Sequence, residues 1–409
     1  MKTRILWLLS FIALSISLKS QTPYLDWVTQ TGSTSNDRGF SITIDAFGNS
    51  YTTGYFIGTV DFNPGPGTAM LTSGGGGDIF VQKLNAKGEL IWVKQMKGST
   101  QMYDGGYGTS ITTDVVGNVY ITGEYIGTVD FDPGPGVSNL TGGLYNMFIQ
   151  KLDTNGNLIW VKGIQGEVYP EIVKTNKYGS VYVSGSFNGT VDFDPGGGIV
   201  NLSVAPSFHF YGNFILKLNS NNGNFQWATK VGESNYHLDG TKITIDTSGN
   251  VYSTGRFYGT VDFDPGLGVS NLTSYGPADN VFIQKLDTAG NLLWVKQIGS
   301  NTYWHCESKS VTTDINGNVY TTGSFSGTLD FNPGLGVSNL TSVGGNDVFI
   351  QKLDVNGNFL WGKKIGGGSS DVGYSITTDV DGSVYTTGLF NNVVDFDPSS
   401  GASNLTAVG

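Results

Sequence analysis

The chain is poor in the groups that usually carry chemistry. It has 409 residues but one cysteine, three histidines and only 13% charged residues. A lone Cys306 cannot form an intrachain disulfide, so burial and strand pairing must hold the fold. His209, His237 and His305 sit in no HExxH motif, and no nucleophile elbow is present. The net charge of −11 excludes the basic face that nucleic acid requires. No apolar run is long enough to span a bilayer, and beyond the first twenty residues no window keeps a helical apolar period. Those first residues differ from the rest. Met1-Lys2-Thr3-Arg4 is basic, Ile5 to Leu18 is apolar, and Lys19-Ser20-Gln21 returns to polar sequence. This order predicts a secretory signal peptide over 1–20, a mature chain over 21–409, and a secreted or cell-surface location.

What the chain has is glycine, 61 residues, and aromatics, 12%, the composition of short strands and many turns. Trp27, Trp92, Trp160, Trp227, Trp294 and Trp361 recur at intervals of 65, 68, 67, 67 and 67 residues. Gly54, Gly123, Gly185, Gly255, Gly323 and Gly388 keep the same beat. Each unit holds four strand-like runs, A to D. In the second they are Ser110 to Asp114, Val119 to Tyr125, Met147 to Leu152 and Leu158 to Lys162. Gly with Asn or Asp marks the A–B and C–D hairpins. A four-stranded unit has two large faces to bury, which stacking achieves better than a solenoid or separate sandwiches. The expectation is therefore an all-β protein: a β-propeller of about six four-stranded blades. The repeats run over 40–97, 109–165, 170–231, 241–299, 309–366 and a partial 373–409, with 24–30 as a closing strand D. Counting from Asp395, the sixth strand C would fall past the last residue, so the last blade is expected to be incomplete.

Period two assigns faces within strands. The strand D tryptophans are expected to pack blade on blade. The strand C lysines Lys83, Lys151, Lys217, Lys285 and Lys352 are expected to lay their stems on apolar neighbours, with the ammonium paired or snorkelling. The runs Ser-Ile-Thr-Thr-Asp, Gly-Asn-Val-Tyr-x-Thr-Gly, Val-Phe-Ile-Gln-Lys-Leu-Asp and Gly-Asn-Leu-x-Trp-Val-Lys resemble the bacterial SBBP-type β-propeller repeat, over essentially Trp27 to Phe396. The resemblance implies secreted or surface proteins of largely uncharacterised function. It also implies seven blades, whereas this chain has six A–B pairs. The third unit departs from the pattern, with Asn176 in place of Asp and Leu216 in place of Gln.

An Asp-Phe-Asx-Pro motif recurs between strands B and C. Its oxygen-bearing residues are Asp61 and Asn63, Asp130 and Asp132, Asp192 and Asp194, Asp262 and Asp264, Asp330 and Asn332, and Asp395 and Asp397. Residues i and i+2 of an extended segment point the same way, so these pairs are candidate calcium ligands. The competing reading is an Asx-type turn before a proline, and no other cofactor is expected. Asn139, Asn201, Asn271, Asn339 and Asn404 open Asn-x-Thr/Ser triplets whose recurrence points to a strand or turn requirement rather than glycosylation.

The antiparallel strands put the A–B and C–D turns at one rim and the B–C and D–A loops at the other. The second set is expected to be long and variable, and variable loops on a rigid scaffold carry binding sites. The candidate binding residues are Tyr103, Tyr107, Tyr236, His237, Tyr303, Trp304 and His305. The sequence reads as a non-enzymatic scaffold for an extracellular protein or glycan. The alternative is a carbohydrate-active or hydrolytic propeller enzyme using the D–A loops, where Trp304-His305-Cys306-Glu307 is the densest reactive cluster.

Overall fold

The computed structural model describes residues 25–408 apart from 75, 100, 102, 103, 206–210, 233–237, 301–304 and 400, and without the side chains of 239–241. The expected signal peptide over 1–20 lies outside the described residues, which contain strands and no helix.

Five antiparallel groups of four strands follow one another. They are Arg38–Ile44, Ser50–Phe56, Asp78–Leu84, Leu90–Gly98; then Gly105–Thr113, Val119–Asp130, Asn139–Leu152, Leu158–Ile164; then Val168–Thr175, Ser180–Phe187, Gly212–Asn219, Phe225–Lys230; then Leu238–Ile245, Val251–Phe257, Asn280–Leu286, Leu292–Ile298; and Cys306–Thr313, Val319–Phe325, Asp347–Leu353, Phe359–Gly367. Each is ordered A-B-C-D, every neighbour paired with the next in sequence. Val372–Thr378 and Val384–Leu389 add a sixth A–B pair. The segment around Trp27 forms no strand, which corrects the expectation of a strand D over 24–30.

The core lies between sheets. Tyr120, Ile149 and Trp160 of the second sheet pack with Val173, Val181 and Phe187 of the third. Tyr51 and Val81 of the first meet Ile111 and Ile121 of the second. The remaining neighbours repeat the scheme. Each interface is also clasped by hydrogen bonds. Thr154 O, in the second C–D turn, accepts from Lys83 Nζ at 3.3 Å and Trp92 Nε1 at 3.1 Å in the first sheet. Ser220 O accepts from Lys151 and Trp160, Thr288 O from Lys217 and Trp227, and Val355 O from Lys285 and Trp294. Each lysine also lies over the tyrosine of its own strand B, as Lys151 does over Tyr120 at 5.1 Å. Burial pushes the Lys83, Lys151, Lys217 and Lys285 ammonium groups below the usual lysine range. The carbonyl and the ring compensate that desolvation. Trp27 Nε1 donates in the same way to Ala86 O, in the first C–D turn.

The row of sheets shows no ring closure among the described residues. Ile42 of the first strand A is 65% exposed where its equivalent Ile111 is 4% exposed. Tyr385 is 56% exposed where Tyr320 is 1%.

Candidate functional site

The two rims differ in how their residues are used. At the lower rim, Asp314 shows the pattern of the A–B turns. Its Oδ1 accepts the Asn316 and Asn318 amides, and its Oδ2 accepts Asn318 Nδ2 and the Tyr320 hydroxyl. Asp45, Asp114 and Asp246 repeat these bonds. Gly317 closes the turn at φ 77°, a conformation costly for any residue with a Cβ. Burial pushes the Asp314 carboxyl up, but the bonds from Asn318 and Tyr320 outweigh it and hold the group below the usual range.

The B–C connections are not the variable loops expected. In each unit a three-residue strand runs up to the Asp of the motif and pairs with a second that opens at, or in the first unit aligns with, the Asn-x-Thr triplet: Thr190–Asp192 with Asn201–Ser203, for example. In the second unit the same hairpin is fused into the long strands B and C. Asp61 Oδ1 accepts the Asn63 and Ala69 amides, and Asn63 Oδ1 accepts the Gly65 amide. The other five copies bond equivalently, with Ser399 in place of Gly in the last. The motif is thus an Asx-type turn. Among the described residues no three acidic, His or Cys side chains gather as a metal cage would require.

Variation is concentrated at the upper end of the A–B pair. The cross-strand partners there are Arg38 and Tyr55, Tyr107 and Glu124, Tyr169 and Ser186, Asp239 and Arg256, Glu307 and Ser324, and Val372 and Leu389. One pair further down, glycine stands on strand B of the same sheets, as in Gly108 with Gly123.

Of the predicted binding residues, Tyr103, Tyr236, His237, Tyr303 and Trp304 lie outside the described residues. Tyr107 and His305 are described and belong to different clusters. His305 Nε2 lies 3.3 Å from Ser324 Oγ and 3.9 Å from Glu307 Oε2. A Ser-His-acid relay needs the two partners on opposite ring nitrogens, and here both address Nε2. Glu307 is further paired with Lys309 at 2.6 Å and Arg256 at 3.6 Å. Burial lowers the His305 pKa, with Glu307 opposing. Cys306 is fully buried in the core between the fourth and fifth sheets, and that burial pushes its thiol far up. It is a core residue, not an activated nucleophile.

Tyr107 lies in the cluster that sequence reasoning missed. Its phenol hydrogen-bonds Glu124, and burial pushes that carboxyl up while the Tyr107 bond pulls it down. The Tyr145 ring lies tilted against that of Tyr169 at 5.4 Å, and Tyr169 meets Tyr211 edge-to-face at 5.5 Å. The Tyr169 and Tyr211 phenols both donate to Glu167 Oε1. A signal existed: Glu124 and Tyr55 each follow the recurring strand B glycine, where the repeat stops repeating.

The beta-propeller repeat model named SBBP matches this chain at residues 26–55, 226–256 and 293–324. An uncharacterized WD repeat-containing protein of Acanthamoeba polyphaga mimivirus is 27% identical over 334 residues, 68% of this chain. The chain spans 23% of that protein's length. A crystal structure of a protein of unknown function from Bacteroides caccae superposes with a TM-score of 0.31 and 11% identity, over 71% of this chain and 92% of that one. The quinohemoprotein alcohol dehydrogenase of Comamonas testosteroni gives 0.38 and 12%, over 83% and 45%. Superpositions this loose say nothing about activity here. The repeating four-stranded antiparallel unit and the three family matches agree: the chain carries SBBP-type beta-propeller repeats.

Proposed function

We propose that this chain is a secreted or cell-surface, non-enzymatic binding scaffold that recognises an extracellular protein or glycan at its upper rim. One observation carries the reading. The repeat is kept nearly unchanged through the core, the lower turns and the B–C hairpins, while the A–B residue pair just above the strand B glycine differs in every sheet. Non-repeating residues on a repeated frame are where a solenoid-like array places recognition. The propeller layout belongs to the same proposal. Trp27 bonds the first sheet as Trp92 bonds the second, which supports a ring in which the segment around Trp27 meets the last unit. Small-angle scattering that fits an open row better than a ring would remove the ring.

Glycan-array and surface-capture binding to the mature chain tests the function. Tyr107→Ala and Tyr169→Ala should weaken capture, whereas Lys87→Ala and Asn155→Ala at the lower turns should not. The opposite pattern assigns recognition to the lower rim. Turnover of a glycoside or ester substrate that survives purification would replace the scaffold by the enzyme reading.

A further inference from the structure

A cavity of about 360 Å³ opens at the upper rim of the first and second sheets. Its lining includes Tyr55, Tyr107, Tyr125, Tyr145 and Glu124, with Gly105 and Gly106 leaving bare backbone between them. We propose that this cavity binds a small organic cation of the alkylated or quaternary ammonium class, held by the tyrosine faces and the Glu124 carboxylate.

Three observations lead there. The first is the state of Glu124. It is 8% exposed, and among the described residues the one group that acts on its charge is the Tyr107 phenol. A buried carboxylate normally carries a cationic partner. Three other acids of the rim have one: Glu171 pairs with Lys242, Glu307 with Lys309 and Arg256, and Asp279 with Arg256 at 3.4 Å, while Glu167 is bonded by phenols. Beside Glu124 the cavity lining holds tyrosines and no cation.

The second is the wall. Tyrosine rings present electron-rich faces, and several around one space attract a cation with apolar substituents more than a neutral solute. A sugar would need many hydrogen-bonding groups, and this lining offers one carboxyl and the phenols. The third is Tyr145, which holds φ 62°, a left-handed conformation that costs a tyrosine about 1–3 kcal/mol. Held there, its ring lies between the cavity and the Tyr169 ring.

The proposal deepens the scaffold reading and rests on its choice of rim. The test titrates the mature protein with tetramethylammonium and with choline, by calorimetry and by proton NMR of the methyl signal. The neutral isostere 3,3-dimethylbutan-1-ol and a methyl glycoside serve as controls. Saturable binding of both ammonium ions, weakened at least about tenfold in Glu124→Gln and in Tyr145→Ala, with no uptake of the isostere, supports it. Circular dichroism and melting of both variants confirm that they fold. Absence of saturable ammonium binding overturns it, as does equal binding of the isostere or unchanged affinity in Glu124→Gln. Glycoside binding that Glu124→Gln leaves intact, without ammonium binding, replaces it by a sugar site. Should the ammonium fail while Tyr107→Ala still weakens partner capture, the rim stands and the ligand class falls.

Discussion

At the lower rim, the A–B and C–D turns use side-chain oxygens to close their own backbone. At the upper rim, the equivalent positions hold tyrosines, arginine and carboxyls that bond to one another across the sheet edges. Asp314 satisfies four donors within six residues of itself. Glu124 sits among aromatic rings with a single phenol for company. The contrast teaches that burial of a carboxylate means opposite things at the two ends. Below, it is locally satisfied and stabilising. Above, at Glu124, it is left short of partners, which costs stability and leaves room for a ligand.

That comparison can be broken in several places. The largest effect is expected where the frame itself is cut. Trp160→Ala removes the most buried of the strand D indoles and its bond to Ser220 O. It should destabilise by about 3–5 kcal/mol, read from urea unfolding. Tyr107→Ala at the upper rim should lose clearly less.

Next comes Asp314→Asn, which replaces a carboxylate serving four donors by a weaker acceptor. A loss of about 1.5–3 kcal/mol is expected at neutral pH. The pH sign follows from the depressed carboxyls of Asp45, Asp314 and Asp379. A carboxyl with a folded pKa below its unfolded value contributes stability above about pH 4, lost as the pH falls through the folded value. The stability gap between wild type and Asp314→Asn at pH 7 should therefore shrink as the pH falls below about 4.

Much of this was legible in the repeat. The period, the four strands, the turn role of the recurring Asp and the inter-sheet tryptophan all follow from local pattern. The strand C lysines were read as paired stems, but their acceptor could not be read, because Lys83 and Thr154 lie a whole repeat apart. The B–C loops were misread as variable because their length hid a hairpin whose strands are only three residues each. The Tyr107–Glu124 cavity was half visible. Tyr107 was singled out, while Glu124 looked like one more strand residue until cross-strand register placed the two side by side.

A smaller test uses the strand C glutamines. Gln284 donates to Phe263 O and Val231 O and accepts from Ser253 Oγ. Gln150 donates to Phe131 O, but its Oε1 has no partner among the described residues because Ile121 faces it across the pair. Gln284→Leu should therefore cost about 1 kcal/mol more than Gln150→Leu. The third sheet already carries Leu216 here, fully buried.

Smaller still, and of opposite sign to Asp314→Asn, is Glu124→Gln. Burial raises the Glu124 carboxyl, so its ionised form opposes folding at neutral pH. The amide should raise the melting temperature slightly, and the gap to wild type should close as the pH falls and Glu124 takes up its proton. The least effect is expected from chelation. With the Asp-Phe-Asx-Pro turns bonded to backbone amides, EDTA should leave the melting temperature unchanged. A calcium-dependent rise would show that these turns hold a metal.

The shared carbonyl acceptor couples each sheet to its neighbour on one side and to nothing further away. Order in such an array is a matter of adjacency: a sheet is protected by how many flanks are occupied, not by its own sequence. In an open row the first and sixth units, where Ile42 and Tyr385 are uncovered, have one flank each and fray before the rest, whereas a closed ring has no such ends. Amide hydrogen exchange would then be slowest in the third and fourth sheets and quicken outward, so that near-identical repeats acquire different lifetimes from their place in line.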